Sequence, residues 1–365
     1  MDRSSPDSDK GYRVSVLTPV HHTDLSLLKR AFQSLKNQSY GFSGIEWVVV
    51  LHNCSEEYAR KARTDFSEYI NIHCHVVHAE GTGVSYARNA TLRFARGEYI
   101  FFLDADDEML PDCIMEVVAE MDRWRADTAL FTAEVEETLP SGCQSGRAKT
   151  LNTLFWTDTF VAASDRTCVM KRGDPRIGKS MCVSGKVLWT RCYRREFLIR
   201  EGITFQESCY WGEDFLFNIS ATGAAEKVLV LPYLCGYRYY AGIGMMDRLF
   251  NHVKKEARSE GVASREGQNV GVFLSRLFRY GKLCGLDLTN SMWKEMATFG
   301  RWYLFSDMPE RAKENYVNSI RRLADTLPAP VMACQERQRE LDKDYHFVKT
   351  IVSSASMHGS AKQKY

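Results

Sequence analysis

Short apolar runs alternate with amphipathic stretches through the first third of the chain. "RVSVLTPV", Arg13 to Val20, is a strand-length apolar run that ends in a proline loop. Leu28, Phe32 and Leu35 then recur at helical spacing behind a cap at Thr23 or Asp24. "IEWVVVL", Ile45 to Leu51, predicts a second buried strand, followed by a polar helix through "SEEYARKARTDFSEY". "INIHCHVVHA" predicts a third strand, and "VSYARNATLRFA", Val84 to Ala95, a helix stopped by Gly97. "EYIFFLD" predicts a fourth strand, after which Pro111 opens a helix with Ile114, Val117, Val118 and Met121 inward. This alternation, with near-continuous apolar strands, predicts a mostly parallel central sheet flanked by helices, the α/β class. Ligands of such sheets bind beyond the carboxyl ends of the strands. The loops that follow Leu17, Leu51, Ala79 and Leu103 are therefore the places to look for chemistry.

The pattern loosens between residues 137 and 183, where Gly, Ser, Pro and charge mix, and loops with short strands are expected. "KVLWTRCYRREFLIREGITF" and "YWGEDFLFNISATGAAEKVLVLP" resume strand and helix. From about Met245 the pattern is mainly helical, including "VGVFLSRLFRYGKLCGL" and "VNSIRRLADTL", and the last residues read as a frayed tail.

Composition narrows the class without naming it. Hydrophobic residues make up 44% and charged residues 26% of 365, ordinary for a globular chain with a sizeable core. A formal net charge of +2 gives no basic excess, so no nucleic-acid partner is expected. The 11 cysteines contain no C-x-x-C pair and read as small buried hydrophobes of a reducing compartment. The polar start "MDRSSPDSDKG" predicts no signal peptide, so the "NCS" sequon at Asn53 is discounted. No apolar run reaches the length of a membrane span. A cytoplasmic protein is expected.

Three clusters carry candidate chemistry. In "YIFFLDADDEMLPD" an apolar strand runs into Asp104, Asp106, Asp107 and Glu108. Like charge so concentrated needs a positive partner. Hard oxygens at this spacing suit Mg²⁺ or Mn²⁺, which would also bridge a diphosphate. The bland alternative is acidic residues favoured near the start of a helix. "EGTGVSYARNATLRFARGEY" offers a Gly-x-Gly, but Tyr86 stands where a dinucleotide fingerprint needs a small residue, and an NAD-dependent oxidoreductase is set aside. The remaining reading is a loop that feeds a helix and lets Arg88 and Asn89 reach the cleft. In "WGEDFLF", Glu213 and Asp214 open an apolar helix. They are a helix start or, beside aromatic rings that raise a carboxylate's pKa, a proton acceptor.

Taken together, "VSVLTPV", "SLKNQSY", "IEWVVVLHNCS", "GVSYARNATLRFARGEYIFFLDADDEMLPD" and "WGEDFLF" resemble the family 2 glycosyltransferases. These are inverting, sugar-nucleotide-dependent enzymes of the Rossmann-like GT-A fold. The likeness runs from about Arg13 to Tyr240, with its motifs in the family's order. It implies a GT-A domain over residues 13–244, with a nucleotide-binding half (13–110) and an acceptor half (111–244). A tail of residues 1–12 precedes it; a helical region (245–352) and a flexible tail (353–365) follow. Thr18, Pro19 and Val20 would line the nucleoside pocket, and Arg88 would contact the base or diphosphate. Asp104, Ala105 and Asp106 would form the D-x-D motif. Asp104 would approach the ribose and lie near the metal, and Asp106 would bind it. Asp214 would be the general base, with Glu213 beside it. "GYRYYAGIG" resembles a late segment folded over the donor, which makes Arg238 a diphosphate candidate; a solvated arginine on a core strand is the alternative. Where the family commonly carries aspartates that read uracil, this chain has His52 and Asn53; the amide oxygen of Asn53 can accept but its nitrogen also donates. Ile243 replaces the late serine.

The function this implies is inverting transfer of a sugar from a nucleotide sugar, UDP-linked by preference, to an acceptor hydroxyl or other nucleophile, with Mn²⁺ or Mg²⁺ as cofactor. Glycans, lipid-linked carriers, peptides and small molecules are all acceptor candidates. Rival readings are a sugar-1-phosphate nucleotidyltransferase, disfavoured because "TPVHHTD" has no glycine, and a non-catalytic sugar-nucleotide-binding relative. Arg276, Arg279 and Lys282 among apolar residues leave room for peripheral contact at the inner membrane face, although a packing helix with solvated charges is the preferred reading. The helical region could equally dock a second subunit.

Overall fold

The computed structural model describes residues 12–67, 69, 71–77, 83–137, 149–150, 166–174, 176–177, 187–207, 212–241 and 310–326. Two compact units divide the chain, Met1–Asp247 and Arg248–Tyr365. In the first, β1 (Val14–Val20), β2 (Ile45–His52), β3 (Ile72–Val77) and β4 (Tyr99–Phe102) run parallel in the order β3-β2-β1-β4. Six further strands continue the same sheet: β5 (Glu108–Met109), β6 (Thr128–Glu137), β7 (Lys149–Thr150), β8 (Cys168–Lys171), β9 (Arg191–Arg194) and β10 (Lys227–Ala241). Beyond β4 the direction changes. β9 is antiparallel to both β4 and β6, β10 is parallel to β6, and β5 is antiparallel to β10. β7 and β8 pair antiparallel with β6 and β10. The expected α/β sheet is therefore parallel in its first half and mixed in its second. An apolar run says that a strand is buried; its direction is set by how the connecting chain returns.

The helices follow from caps and periodicity. α1 (Leu25–Lys36) starts at Asp24, whose carboxylate accepts the Ser26 N–H, and α2 (Glu56–Phe66) at Ser55, whose hydroxyl accepts the Tyr58 N–H. α4 (Cys113–Trp124) buries Ile114, Val117, Val118 and Met121, the stripe read from sequence. α1, α2 and α4 share one core with Val14, Val16, Trp47, Val49 and Phe101, on one face of the sheet. Alternate strand residues such as Leu17 and Phe102 face the other side, as strand alternation requires. There α3 (Val84–Phe94) lies along β1 and β2. Phe205 and Phe217 stack at 4.1 Å and meet Phe102 edge-on. Phe217 belongs to α6 (Glu213–Ala224), which follows the short α5 (Arg195–Arg200).

Gly97 has a different task from the one its sequence context suggests. α3 already ends at Phe94. A Cβ at Gly97 would stand 2.6 Å from Ser15 N and from Val14 C, so the turn into β4 needs a residue with no side chain where it crosses β1. The Gly97 N–H donates to Ser15 Oγ at 2.7 Å and to the fully buried Glu46 at 3.1 Å.

In the second unit α7 (Glu310–Thr326) buries Tyr316, Val317 and Ile320 and covers most of the predicted "VNSIRRLADTL" helix. The predicted segment 270–286 with Arg276, Arg279 and Lys282, both terminal tails, Gly81, Trp211 and residues 242–244 lie outside the described residues.

Candidate functional site

β4 delivers the chain to Asp104 at the carboxyl edge of the parallel strands, in step with β1, because Leu103 N–H donates to Leu17 O at 3.0 Å. A tight turn follows, closed by Asp107 N–H donating to Asp104 O at 3.2 Å. It leaves Asp104 and Asp106 partly exposed and buries Ala105 and Asp107.

The positive partner of Asp104 within the protein is Arg88. α3 buries it, and its guanidinium reaches across the cleft. Nη1 donates to Glu213 Oε1 at 2.9 Å and to Asp214 Oδ1 at 2.5 Å, while Nη2 stands 3.9 Å from Asp104 Oδ1. Glu213 and Asp214 are brought there by the start of α6. Gly212 precedes them with φ 72°, in the left-handed region that favours glycine, and provides no side-chain cap. Asp214 is thus the second residue of the helix, not its cap, and its carboxylate is turned to Arg88.

Burial raises the Asp214 pKa; Arg88 opposes this, the charges of Glu213 and Asp104 add to it, and the result is pushed up to about 8. Asp104 is likewise raised by burial against the pull of Arg88. Burial works against the charge on Arg88, but Asp214, Glu213 and Asp104 outweigh it and its pKa is raised. A carboxyl group held above the usual range thus shares the Arg88 guanidinium with Asp104 of the turn.

Asp107 has a different environment. It accepts the Tyr237 hydroxyl at 2.8 Å and the Tyr240 N–H at 2.9 Å. Burial, reinforced by Asp104 and Asp106, holds its carboxyl well above the ordinary value. Glu108 accepts from Arg238 Nη1 at 3.2 Å and from Tyr240 Oη at 3.0 Å. Arg30 donates to Asp106 O and lies 3.7 Å over the Tyr240 ring.

Of the residues expected around the nucleoside, Thr18, Pro19 and Val20 form the carboxyl end of β1 and Asn53 follows β2 directly. Thr18 is fully buried, and its hydroxyl accepts the Trp47 indole N–H at 2.8 Å, so its side chain belongs to the core beneath the loop. Val20 is buried as well, and Pro19 is partly exposed. Asn53 is partly exposed at φ 51°, a conformation asparagine tolerates better than most residues. His22, also at φ 51°, donates its N–H to Cys54 Sγ at 3.5 Å, and His21 Nδ1 is 2.9 Å from His52 O.

The structure thus gathers Arg88, Asp104, Glu213 and Asp214 into one ion-pair cluster. Arg238 is engaged by Glu134 at 2.5 Å and by Glu108. Asn89, expected in the cleft, is buried. Its amide pins the chain at Phe205, donating to Phe205 O at 2.9 Å and accepting Phe205 N–H at 2.8 Å. Sequence reading missed Tyr237 and Arg30. The signal for Tyr237 was the i, i+2 spacing of Tyr237 and Tyr239, which puts both rings on one face of β10, where both stack on Trp189.

Residues 15–162 match the family model described as Glycosyl transferase family 2. The chain is similar to the uncharacterized glycosyltransferase YibD of Escherichia coli K12, 23% identical over 67% of this chain and 65% of that protein. It is similar to the uncharacterized glycosyltransferase EpsJ of Bacillus subtilis 168, 23% identical over 60% of this chain and 58% of that one. It therefore spans under two thirds of the length of either relative. Among solved structures, Staphylococcus aureus TarS 1–349 in complex with UDP-GlcNAc aligns with a TM-score of 0.63 at 18% identity, covering 93% of this chain and 90% of that one. That likeness shows the shared fold.

Proposed function

Because this chain carries a glycosyl transferase family 2 domain over residues 15–162, we propose that it transfers a sugar from a nucleotide sugar, UDP-linked by preference, to an acceptor hydroxyl with inversion at the anomeric carbon. The observation that carries this is the Arg88 cluster, which ties Asp104 of the D-x-D turn to Asp214 and Glu213 at the head of α6. A donor-side acid and a candidate base thereby face one cleft at the carboxyl ends of parallel strands, where α/β sheets take ligands. The solved relative that holds UDP-GlcNAc and a Staphylococcus aureus relative named as a poly(ribitol-phosphate) β-N-acetylglucosaminyltransferase support a UDP-sugar donor.

The D-x-D turn fits a hard divalent cation. Asp104 and Asp106 supply carboxylate oxygens from one turn. Among the described residues no group of three or more His, Cys, Asp or Glu could hold such an ion alone, and Mg²⁺-type ions typically take one or two carboxylates and complete their shell with substrate phosphates and water. Mg²⁺ or Mn²⁺ held by Asp106 with Asp104 would neutralise charge on the leaving diphosphate.

The remaining chemistry belongs to the chain. Asp214 accepts the acceptor's hydroxyl proton at its carboxylate oxygen, and the raised pKa makes it a stronger base than a solvated aspartate. Arg88 orients that carboxylate and, with Arg238, is the candidate for the diphosphate oxygens. Pro19, Asn53 and the main chain of Thr18 and Val20 edge the nucleoside pocket. One displacement at the face opposite the leaving group inverts the anomeric centre, and no carboxylic acid is needed for a leaving diphosphate. Among the described residues no helix is long and apolar enough to cross a membrane; a cytoplasmic setting is part of this reading.

Calorimetric titration with UDP, with and without Mn²⁺, followed by incubation with UDP-GlcNAc and analysis for released UDP, tests the proposal. Metal-dependent UDP binding with turnover is expected. Binding without turnover on any acceptor would leave a non-catalytic relative, and no binding would remove the proposal.

A further inference from the structure

The four acidic residues at the end of β4 have unlike surroundings. Asp107 is 1% exposed, and each of its oxygens already accepts a hydrogen bond, one from Tyr237 Oη and one from Tyr240 N. A buried carboxylate is tolerated when its lone pairs are occupied in this way. The same Tyr237 oxygen accepts the Asp104 N–H at 3.1 Å. One hydroxyl thus joins the first and last aspartates of the turn, accepting from one and donating to the other. Its ring has no freedom to leave: Tyr237 is fully buried and stacked on Trp189 at 4.6 Å with 15° between planes. Arg30 of α1 donates to the Asp106 carbonyl. Tyr237 and Arg30 therefore grip the turn by main-chain groups of Asp104 and Asp106.

We propose that Tyr237, backed by Asp107, is a positioning residue that presents the carboxylates of Asp104 and Asp106 to the donor diphosphate and its divalent cation. The inference rests on the transferase reading above. It makes the third aspartate of the motif a buttress for the other two, and it makes β10, distant in sequence, part of the donor site.

Tyr237→Phe keeps the ring and its stack on Trp189 and removes only the oxygen. UDP is titrated into wild type and variant, once with Mn²⁺ and once with EDTA, and melting temperatures are recorded. The gain in UDP affinity that Mn²⁺ confers should fall by about tenfold in the variant, the scale of one good hydrogen bond, while the EDTA titration stays near wild type and the melting temperature drops modestly, because buried Asp107 loses one donor. Asp107→Asn turns one of the two acceptor oxygens into an N–H donor and should lower the Mn²⁺-dependent gain in the same direction. An unchanged gain in both variants would overturn the inference, as would an equal loss with and without metal. A wild type that binds UDP in neither titration would instead remove the transferase reading, and this inference with it.

Discussion

Three carboxylates, Asp104, Glu213 and Asp214, lean on the single guanidinium of Arg88. Ionised together they would leave uncompensated negative charge in a buried place, so the site holds a proton above the usual carboxylate range. Burial, with Glu213 and Asp104 beside it, pushes Asp214 up to about 8 against the pull of Arg88. A base that is protonated below its pKa is idle there, and its active form grows as pH rises. The kcat/KM for transfer should therefore climb through about pH 8 and level off above it, since that ratio reports the free enzyme. Asp214→Asn should lose about 10²- to 10⁴-fold in rate and the alkaline rise with it, with UDP affinity unchanged. A pH series of UDP release on both proteins measures this, and near-normal transfer by the variant would transfer the role to Glu213. The aspartate and its helix were legible in the sequence. Arg88 was legible as a cleft residue; its pairing with Asp214 was not, because 126 residues separate them and charge pairing at that range leaves no local pattern.

At the scale of elements, what the sequence encodes locally came through and what depends on the return path of the chain did not. The cap of α1 and the buried stripe of α4 are local arithmetic. The reversed direction of β9 is decided by distant neighbours, β4 and β6. Gly97 shows the same division: a glycine after a helix reads as a stop, yet its requirement comes from β1 passing within contact of its α-carbon. Gly97→Ala should accordingly destabilise by about 1–3 kcal/mol, the range for forcing an extra methyl into a packed site. Backbone atoms cannot swing aside as a flexible side chain would. Denaturant midpoints of the variant read this directly, and a midpoint equal to wild type would show that the β1–β4 crossing relaxes.

For the whole molecule, the motifs read from sequence all fall before the boundary at Asp247, and the unit from Arg248 onward contributes none. Two compact units need not melt together. Scanning calorimetry of the full chain should show two transitions, with UDP and Mn²⁺ raising only one. A ligand at about 100 times its Kd adds about 2.7 kcal/mol to the unit that binds it. A single transition that moves as a whole would mean that the two units unfold as one.

The irregular stretch of β10 has a consequence for how this chain can change in length. From Leu231 to Tyr237 the strand advances six residues while its partner β6 advances two, from Phe131 to Ala133. The surplus is even, so the inward and outward positions on either side stay in phase. Loss of a single codon there would turn Tyr237 away from Asp107 and point its neighbours into the core, whereas loss of two would restore the phase. Natural length variation in this segment should therefore come in even steps.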